Sequence, residues 1–170
     1  MGATRKGCAG LIYNDFELLD GWQIIRHICT LKIIEIFSNQ EIIQLIMAAV
    51  QMHFDAEKAG DWEKIGQMYT DDIIWERACV NQLVQGKEAV AAAYVDLFSG
   101  LSDYDFYSYD RFATEERVVD HSLFTFTVAK EGIMPLPVGT KAKLRLVHIF
   151  EMRGGKVSKE LVMESPPEPL

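Results

Sequence analysis

The chain has 170 residues, which is about one domain, since a single hydrophobic core rarely grows beyond roughly 250 residues. Hydrophobic residues make up 49% and charged residues 25%, a composition typical of a globular protein and not of a disordered or fibrous one. The formal charge of -8 disfavours nucleic acid and anionic membrane surfaces as partners and leaves a neutral or cationic small ligand open.

The cysteines and the apolar runs indicate the cellular compartment of the protein. Cys8, Cys29 and Cys79 are an odd number without a C-x-x-C spacing, which supports neither a disulfide framework nor a zinc site. No apolar run follows Arg5 and Lys6 as in a secretory signal, and none reaches the roughly 20 residues of a membrane span. These features predict a cytoplasmic protein without a membrane partner.

The first 45 residues have weak patterning. The apolar stretch from Ile24 to Phe37 is interrupted by polar residues and lacks both helix caps and a hairpin turn. We therefore predict that residues 1–45 are an N-terminal extension of uncertain structure.

A long amphipathic helix is predicted from Ser38 to Gly60. Ser38 and Glu41 have the spacing of a capping box, and Gly60 is a typical stop. The residues that recur at helical spacing between them are Ile42, Ile43, Ile46, Ala49, Val50, His53 and Phe54.

Two shorter helices and a first strand follow. Asp61 is placed to cap a second helix, and Ile73 to Trp75 is rich in strand formers. After a turn at Gly86, the alanine-rich segment from Lys87 to Phe98 predicts a third helix that ends at Gly100.

The rest of the chain has strand character. The predicted strands are Tyr104–Phe112, Val118–Val128, Lys141–Met152 and Val157–Glu164, with a hairpin turn at residues 153–156 and a loop around Pro135, Pro137 and Gly139. Helices followed by consecutive strands predict an α+β domain in which helices pack on one face of a curved antiparallel sheet.

An ordered set of short stretches resembles the SnoaL-like branch of the nuclear-transport-factor-2-like superfamily. The stretches are Ala59-Gly60-Asp61-Trp62, Tyr69-Thr70-Asp71-Asp72, Gly86-Lys87-Glu88-Ala89-Val90, Val147-His148-Ile149-Phe150-Glu151 and Gly155-Lys156-Val157 with Glu160. The resemblance implies a cone-shaped sheet wrapped around a long N-terminal helix, with a pocket at the open end. It implies a domain over residues 46–165, followed by a Pro-rich tail at 166–170.

The fold alone does not determine the chemistry, so the residues at the family's functional positions must be compared one by one. Against ketosteroid isomerase, His53 replaces the tyrosine, Arg77 the base and Val147 the oxyanion aspartate, which makes steroid isomerisation improbable. The aspartate base of the cyclases falls near Glu164 or Ser165, depending on register.

The epoxide hydrolases of the superfamily need an Asp-Arg-Asp arrangement. Asp120 and Arg117 have the wrong parity to share one strand face. Asp120 and His121, adjacent in the chain, point to opposite faces of a regular strand and cannot form a dyad.

Two histidines are the proton carriers that we predict. His53 lies in the apolar stripe of the long helix, and His148 alternates with Leu144, Leu146 and Phe150 on one strand face. An imidazole exchanges protons near neutral pH, so either residue could act as acid or base. Each could instead be a hydrogen-bonded core histidine.

Trp75 and Arg77 share parity on the first strand, opposite to Glu76, and are predicted to flank one wall of the cavity. A guanidinium beside an indole suits an enolate or carboxylate. The aromatic run from Tyr104 to Phe112 either forms a wall for a planar ligand or belongs to the core and a dimer interface.

The sequence thus favours a SnoaL-like pocket protein. We predict a cofactor-independent cyclase, isomerase or dehydratase that acts by proton transfer on an apolar polyketide- or terpenoid-like compound, without a metal. The predicted catalytic residues are His53, Arg77, His148 and Glu164, and the predicted substrate contacts are Trp75, Tyr69, Phe106, Phe124 and Leu146. The alternative is a non-catalytic module that binds a ligand or forms a homodimer through the sheet.

Overall fold

The computed structural model describes residues 38–170. The helices are α1 (Asn39–Ala59), α2 (Trp62–Met68) and α3 (Lys87–Ser99). The strands are β1 (Tyr69–Arg77), β2 (Gln82–Gln85), β3 (Leu101–Ala113), β4 (Arg117–Val128), β5 (Lys141–Arg153), β6 (Lys156–Glu164) and β7 (Glu168–Pro169). The extension predicted for residues 1–45 lies outside the described residues up to position 37.

Helix α1 is fixed at both ends by its own sequence. The Ser38 and Glu41 side chains each accept a hydrogen bond from the other's backbone N–H, which is the predicted capping box. Gly60 ends the helix with φ 67, a left-handed conformation that glycine adopts without steric cost. The helix begins at Asn39, seven residues before the predicted domain boundary at 46, so residues 39–45 continue the same element.

The strands form one curved, open sheet in the order β2-β1-β6-β5-β4-β3, with β7 added beside β5. The predicted α+β class is confirmed, and the three predicted helices and all predicted strands are present. The antiparallel prediction needs a correction, because β1 and β6 run parallel and the sheet is mixed. These strands are separated along the chain by four others, so local turn patterns carried no signal for their pairing.

The core lies between the helices and one face of the sheet. Alternate residues of β4 and β5 are buried, so one face of these strands packs inward while the other is partly exposed. The predicted Pro-rich tail includes β7, whose Pro169 lies opposite Ala142 at the end of β5. Among the described residues, the structure contains no helix that is both long and apolar enough to cross a membrane.

Candidate functional site

A pocket opens between the helices and the inner face of the sheet. Its wall is mostly apolar and aromatic, with side chains from α1 and α3, from strands β1 and β3 to β6, and from Met134 of the β4–β5 loop. The ionisable side chains on this wall are Glu57, Arg77, Tyr94, His148 and Glu164. The cavity volume is about 40 Å³, room for about three water molecules at 10–15 Å³ each. A mostly apolar cavity with several ionisable groups is a setting in which proton transfer is efficient.

Most of the predicted site residues lie on this wall. They are Trp75, Arg77, Phe106, Phe124, Leu146, His148 and Glu164. His53 and Tyr69 are fully buried and are not among the lining residues. They lie behind the wall, where they contact the polar cluster described below.

Arg77 and Glu164 form an ion pair on the wall. Arg77 Nη2 donates to both carboxylate oxygens of Glu164, at 2.8 and 3.0 Å. The guanidinium also lies 5.9 Å from the centroid of the Trp75 ring. The predicted shared face of Trp75 and Arg77 is confirmed, since Glu76 points the other way and pairs with Lys159 at 2.9 Å. The charge of Arg77 is therefore largely compensated by Glu164 in the resting pocket.

His148 sits on the inward face of β5, with Leu144 and Leu146 on the same wall, as the alternation predicted. Burial is the main cause that lowers the pKa of His148 to about 4. The negative charge of Asp120 opposes this shift and the positive charge of Arg111 adds to it. The imidazole is therefore neutral at pH 7 and has a free lone pair, which is what a general base needs.

A buried carboxyl group, Glu160, lies behind the wall. Tyr69 donates a hydrogen bond to its Oε2 and Tyr94 to its Oε1, both at 2.6 Å. The indole nitrogen of Trp75 is buried beside the same carboxyl but makes no hydrogen bond of ordinary geometry. Burial raises the pKa of Glu160 to about 7, while these neighbouring donors act in the opposite direction.

Two histidines approach Glu160 from opposite sides. His53 Nε2 of α1 lies 3.8 Å from Oε2, and His148 Nε2 of β5 lies 4.0 Å from Oε1. His53 Nε2 is also 3.8 Å from Oε2 of Glu57, one helical turn along α1. Neither nitrogen of His53 has a hydrogen-bond partner, and neither does Oε2 of Glu57.

Burial sets the protonation of both α1 groups. Desolvation is the main cause that lowers the pKa of His53 to about 3, followed by electrostatic interaction with His148 and with the positive charge of Arg111. Desolvation, followed by the negative charge of Glu160, raises the pKa of Glu57 well above its ordinary value. At neutral pH, the pocket wall thus carries a neutral imidazole at His148, and burial favours the protonated form of the Glu57 carboxyl.

A second buried ion pair lies beyond His148. Asp120, opposite His148 in the β4–β5 ladder, accepts a hydrogen bond from Arg111 Nε at 2.7 Å. Arg117 instead reaches Glu151 on the surface at 3.1 Å, which confirms that Arg117 and Asp120 do not share a face. Asp120 is buried while His121 is partly exposed, so the predicted opposite faces of this pair are also confirmed.

Sequence reasoning missed Glu57, Tyr94 and Glu160. A signal for Glu160 existed, because it has the same parity on β6 as Val162 and Glu164, which line the pocket. Glu57 likewise falls one turn after His53 on the same stripe of α1. Within residues 38–170, no group of three or more His, Cys, Asp or Glu side chains is arranged to hold a metal ion.

A family model described as a SnoaL-like domain matches residues 50–160, well over half of the chain. The chain belongs to the SnoaL-like domain family. The match includes the second half of α1, β1, His148 and Glu160, so the buried cluster lies within it, whereas the pocket residues Val162 and Glu164 follow its last residue. No curated protein matches this SnoaL-like chain at a significant level.

Solved structures share the fold at low sequence identity. The candidate SnoaL-like polyketide cyclase of Jannaschia sp. CCS1 is 19% identical, with a TM-score of 0.66 over 73% of this chain and 88% of that one. SalBIII, an epoxide hydrolase/cyclase-like enzyme in pyran ring formation in the polyether salinomycin, is 17% identical, with a TM-score of 0.64 over 75% and 97%.

An LEH-like epoxide hydrolase of M. tuberculosis is 11% identical, with a TM-score of 0.60 over 72% of this chain and 84% of that one. At these identities, the likeness establishes the fold of the SnoaL-like chain, and its chemistry depends on its own pocket residues.

Proposed function

We propose that this SnoaL-like protein is a cofactor-independent enzyme that moves a proton on a small, neutral carbonyl compound. The observation that carries the proposal is that two ionisable groups line one mostly apolar cavity: an imidazole at His148 that is neutral at pH 7, and a carboxyl at Glu57 whose protonated form is favoured by burial. Groups whose environments push their pKa values in opposite senses are the usual acid and base of an active site.

The roles follow from these protonation states. His148 removes the proton next to the carbonyl, and Glu57 donates a proton to the oxygen or carbon at which negative charge develops. Arg77 faces the same cavity, but its ion pair with Glu164 reduces its attraction for an anionic ligand. The aromatic wall binds the apolar part of the substrate by burial of its surface.

The cavity volume favours a small compound over a large one. About 40 Å³ holds roughly three waters, so a polyketide or terpenoid ring needs part of the wall to move outward. Met134 and Phe106 are only partly buried and are the side chains whose displacement would enlarge the pocket at the lowest cost.

The alternative is a non-catalytic binding module. A pocket lined only by aliphatic and aromatic groups would favour that alternative, because binding an apolar ligand needs no ionisable side chain. Here five ionisable side chains face the cavity. We therefore favour the enzyme.

Deuterium exchange tests the proposal without knowledge of the natural substrate. Cyclohexanone, cyclohex-3-en-1-one and acetone are incubated with the protein in D₂O, and NMR follows the loss of the protons next to the carbonyl. We expect exchange above the buffer rate for at least one ketone and a fall of about 100-fold or more in His148→Gln, the usual contribution of a general base.

His121→Gln is the matched control, because this histidine lies on the outer face of the adjacent strand. It should exchange at the wild-type rate. Wild-type rates equal to buffer for all three ketones, or equal rates in wild type and His148→Gln, would overturn the proposal.

A further inference from the structure

Four buried side chains connect one side of the pocket wall with the other. In order they are His148, Glu160, His53 and Glu57. The successive gaps are 4.0 Å from His148 Nε2 to Glu160 Oε1, 3.8 Å from Glu160 Oε2 to His53 Nε2, and 3.8 Å from His53 Nε2 to Glu57 Oε2. Only the two ends, His148 and Glu57, line the cavity.

Several polar atoms in this row lower the stability of the fold. Both nitrogens of His53 and one oxygen of Glu57 are buried without a hydrogen bond, and each such group costs about 1–3 kcal/mol. Three unsatisfied atoms on two residues, in a row that joins two pocket-facing side chains, indicate a function rather than packing.

Resting on the proposed function, we propose that these residues form an internal proton path that returns the proton taken by His148 to Glu57. The imidazole of His148 gains the proton, and the electron pair of the broken C–H bond remains on the substrate as an enolate. Glu57 gives its own proton to the far carbon, where a new C–H bond forms.

The resting state is restored through the two inner residues. His148 releases a proton from Nε2 to Glu160, Glu160 releases one to His53 Nε2, and His53 passes it to the Glu57 carboxylate. No proton is lost or gained overall, and no other reactant is needed. Each gap is about 1 Å longer than a hydrogen bond, so each transfer requires a side-chain shift of that size.

The two tyrosines fix the middle of the path. Tyr69 and Tyr94 each hold one oxygen of Glu160 at 2.6 Å, which orients the carboxyl between the two histidines. The pKa of Glu160, about 7, allows this group both to accept and to release a proton near neutral pH. Glu160 and His53 are positioning residues in this scheme, since neither lines the cavity.

The probe is cyclohex-3-en-1-one, whose double bond moves into conjugation when a proton leaves C2 and another arrives at C4. Exchange at C2 in D₂O reports proton removal by His148, and ultraviolet absorbance of the conjugated enone reports delivery by Glu57. His53→Phe interrupts the path between Glu160 and Glu57 without changing a lining residue.

We expect His53→Phe to keep C2 exchange within about 3-fold of wild type while isomerisation falls about 10-fold or more, a range typical of a lost proton carrier. Glu57→Gln should give the same split, because it removes the donor itself. A general loss of structure would lower both rates together, so the ratio of the two rates separates the path from a structural role.

His53→Gln is a second variant in case the phenylalanine does not fold, and His121→Phe on the outer face is the control that should leave both rates unchanged. If the folded His53 variant keeps the wild-type ratio of exchange to isomerisation while wild type turns over the probe, the proton path is wrong and the proposed function is unaffected. Wild-type rates equal to buffer would overturn the proposed function as well.

Discussion

At the scale of single residues, the buried carboxyl of Glu160 makes the stability of the fold depend on pH. The groups that face it are Tyr69 from β1, Tyr94 from α3, His53 from α1 and His148 from β5. Its pKa is about 7 in the folded protein, against an ordinary value of 4.5. The carboxyl therefore binds a proton more tightly in the folded than in the unfolded chain. This binding makes its full contribution to stability below pH 4.5, and the contribution is lost as the pH rises through 7.

Glu160→Gln removes this titration and keeps the size of the side chain. We compare the free energy of unfolding of wild type with that of the variant. The difference, wild type minus variant, should fall by about 3 kcal/mol between pH 4 and pH 8, because each pH unit between the folded and unfolded pKa values contributes 1.36 kcal/mol. Urea unfolding of both proteins at several pH values measures it. A difference that does not change with pH would contradict the prediction.

The residues found and missed by sequence reasoning differ in one physical respect. Trp75, Arg77 and His148 were placed on the pocket wall by strand parity alone, since alternate side chains must point to the same face. Glu57 and Glu160 were missed because a carboxylate is normally exposed. Glu160 accepts hydrogen bonds from residues 66 and 91 positions away in the chain, and no local pattern reveals such partners.

At the scale of elements, the β4–β5 loop is tied to the end of α3 at Gly100. The carbonyl oxygen of Gly100 accepts hydrogen bonds from the backbone N–H groups of Ala129 at 2.8 Å and Lys130 at 3.2 Å. A Cβ at this position would collide with the side chain of Ile133. The same loop contributes Met134 to the pocket, so Gly100 controls the position of part of the wall.

Gly100→Ala should therefore destabilise the fold by about 1–3 kcal/mol, the usual cost of overpacking. Gly66→Ala is the matched control, because a Cβ in the middle of α2 would meet only Lys87 Cε at 3.8 Å and alanine favours a helix. Thermal unfolding compares the two variants with wild type. Equal stability of Gly100→Ala and Gly66→Ala would contradict this role of Gly100.

Helices and strands in which hydrophobic residues recur at a regular spacing were predicted well, and elements without such a spacing were not. The capping box and stop of α1 and the alternation in β4 and β5 are local signals, and these elements formed as predicted. Strand β2 has four residues and follows a 3₁₀ turn at Ala78–Val80, too short for a period to be visible. The parallel pairing of β1 with β6 depends on the whole sheet.

At the scale of the whole molecule, the outer face of β3 presents large apolar side chains. Tyr107, Tyr109 and Phe112 are 65%, 47% and 60% exposed. Exposed aromatic residues grouped on one sheet face are typical of a protein interface. We propose that a second copy of the chain covers this face, which is the dimer through the sheet that the sequence predicts.

Analytical ultracentrifugation tests this dimer. We expect twice the chain mass of 19.3 kDa for wild type and a single chain mass for the double variant Tyr107→Arg with Phe112→Arg, because two buried charges without partners prevent association. Leu83→Arg, at an exposed position on β2, should remain a dimer. A monomeric wild type, or a dimeric double variant, would contradict the interface.

The proposed function requires a neutral imidazole at His148 and a protonated carboxyl at Glu57 against one small cavity. The most direct measurement is the protonation state of the His148 ring by ¹⁵N NMR between pH 3 and pH 8, assigned by comparison with His148→Gln. Since burial lowers the pKa of His148 to about 4, the ring should remain neutral at pH 5.5. A ring that titrates near 6.5, the ordinary value for histidine, would contradict the proposed role of His148 as a neutral base.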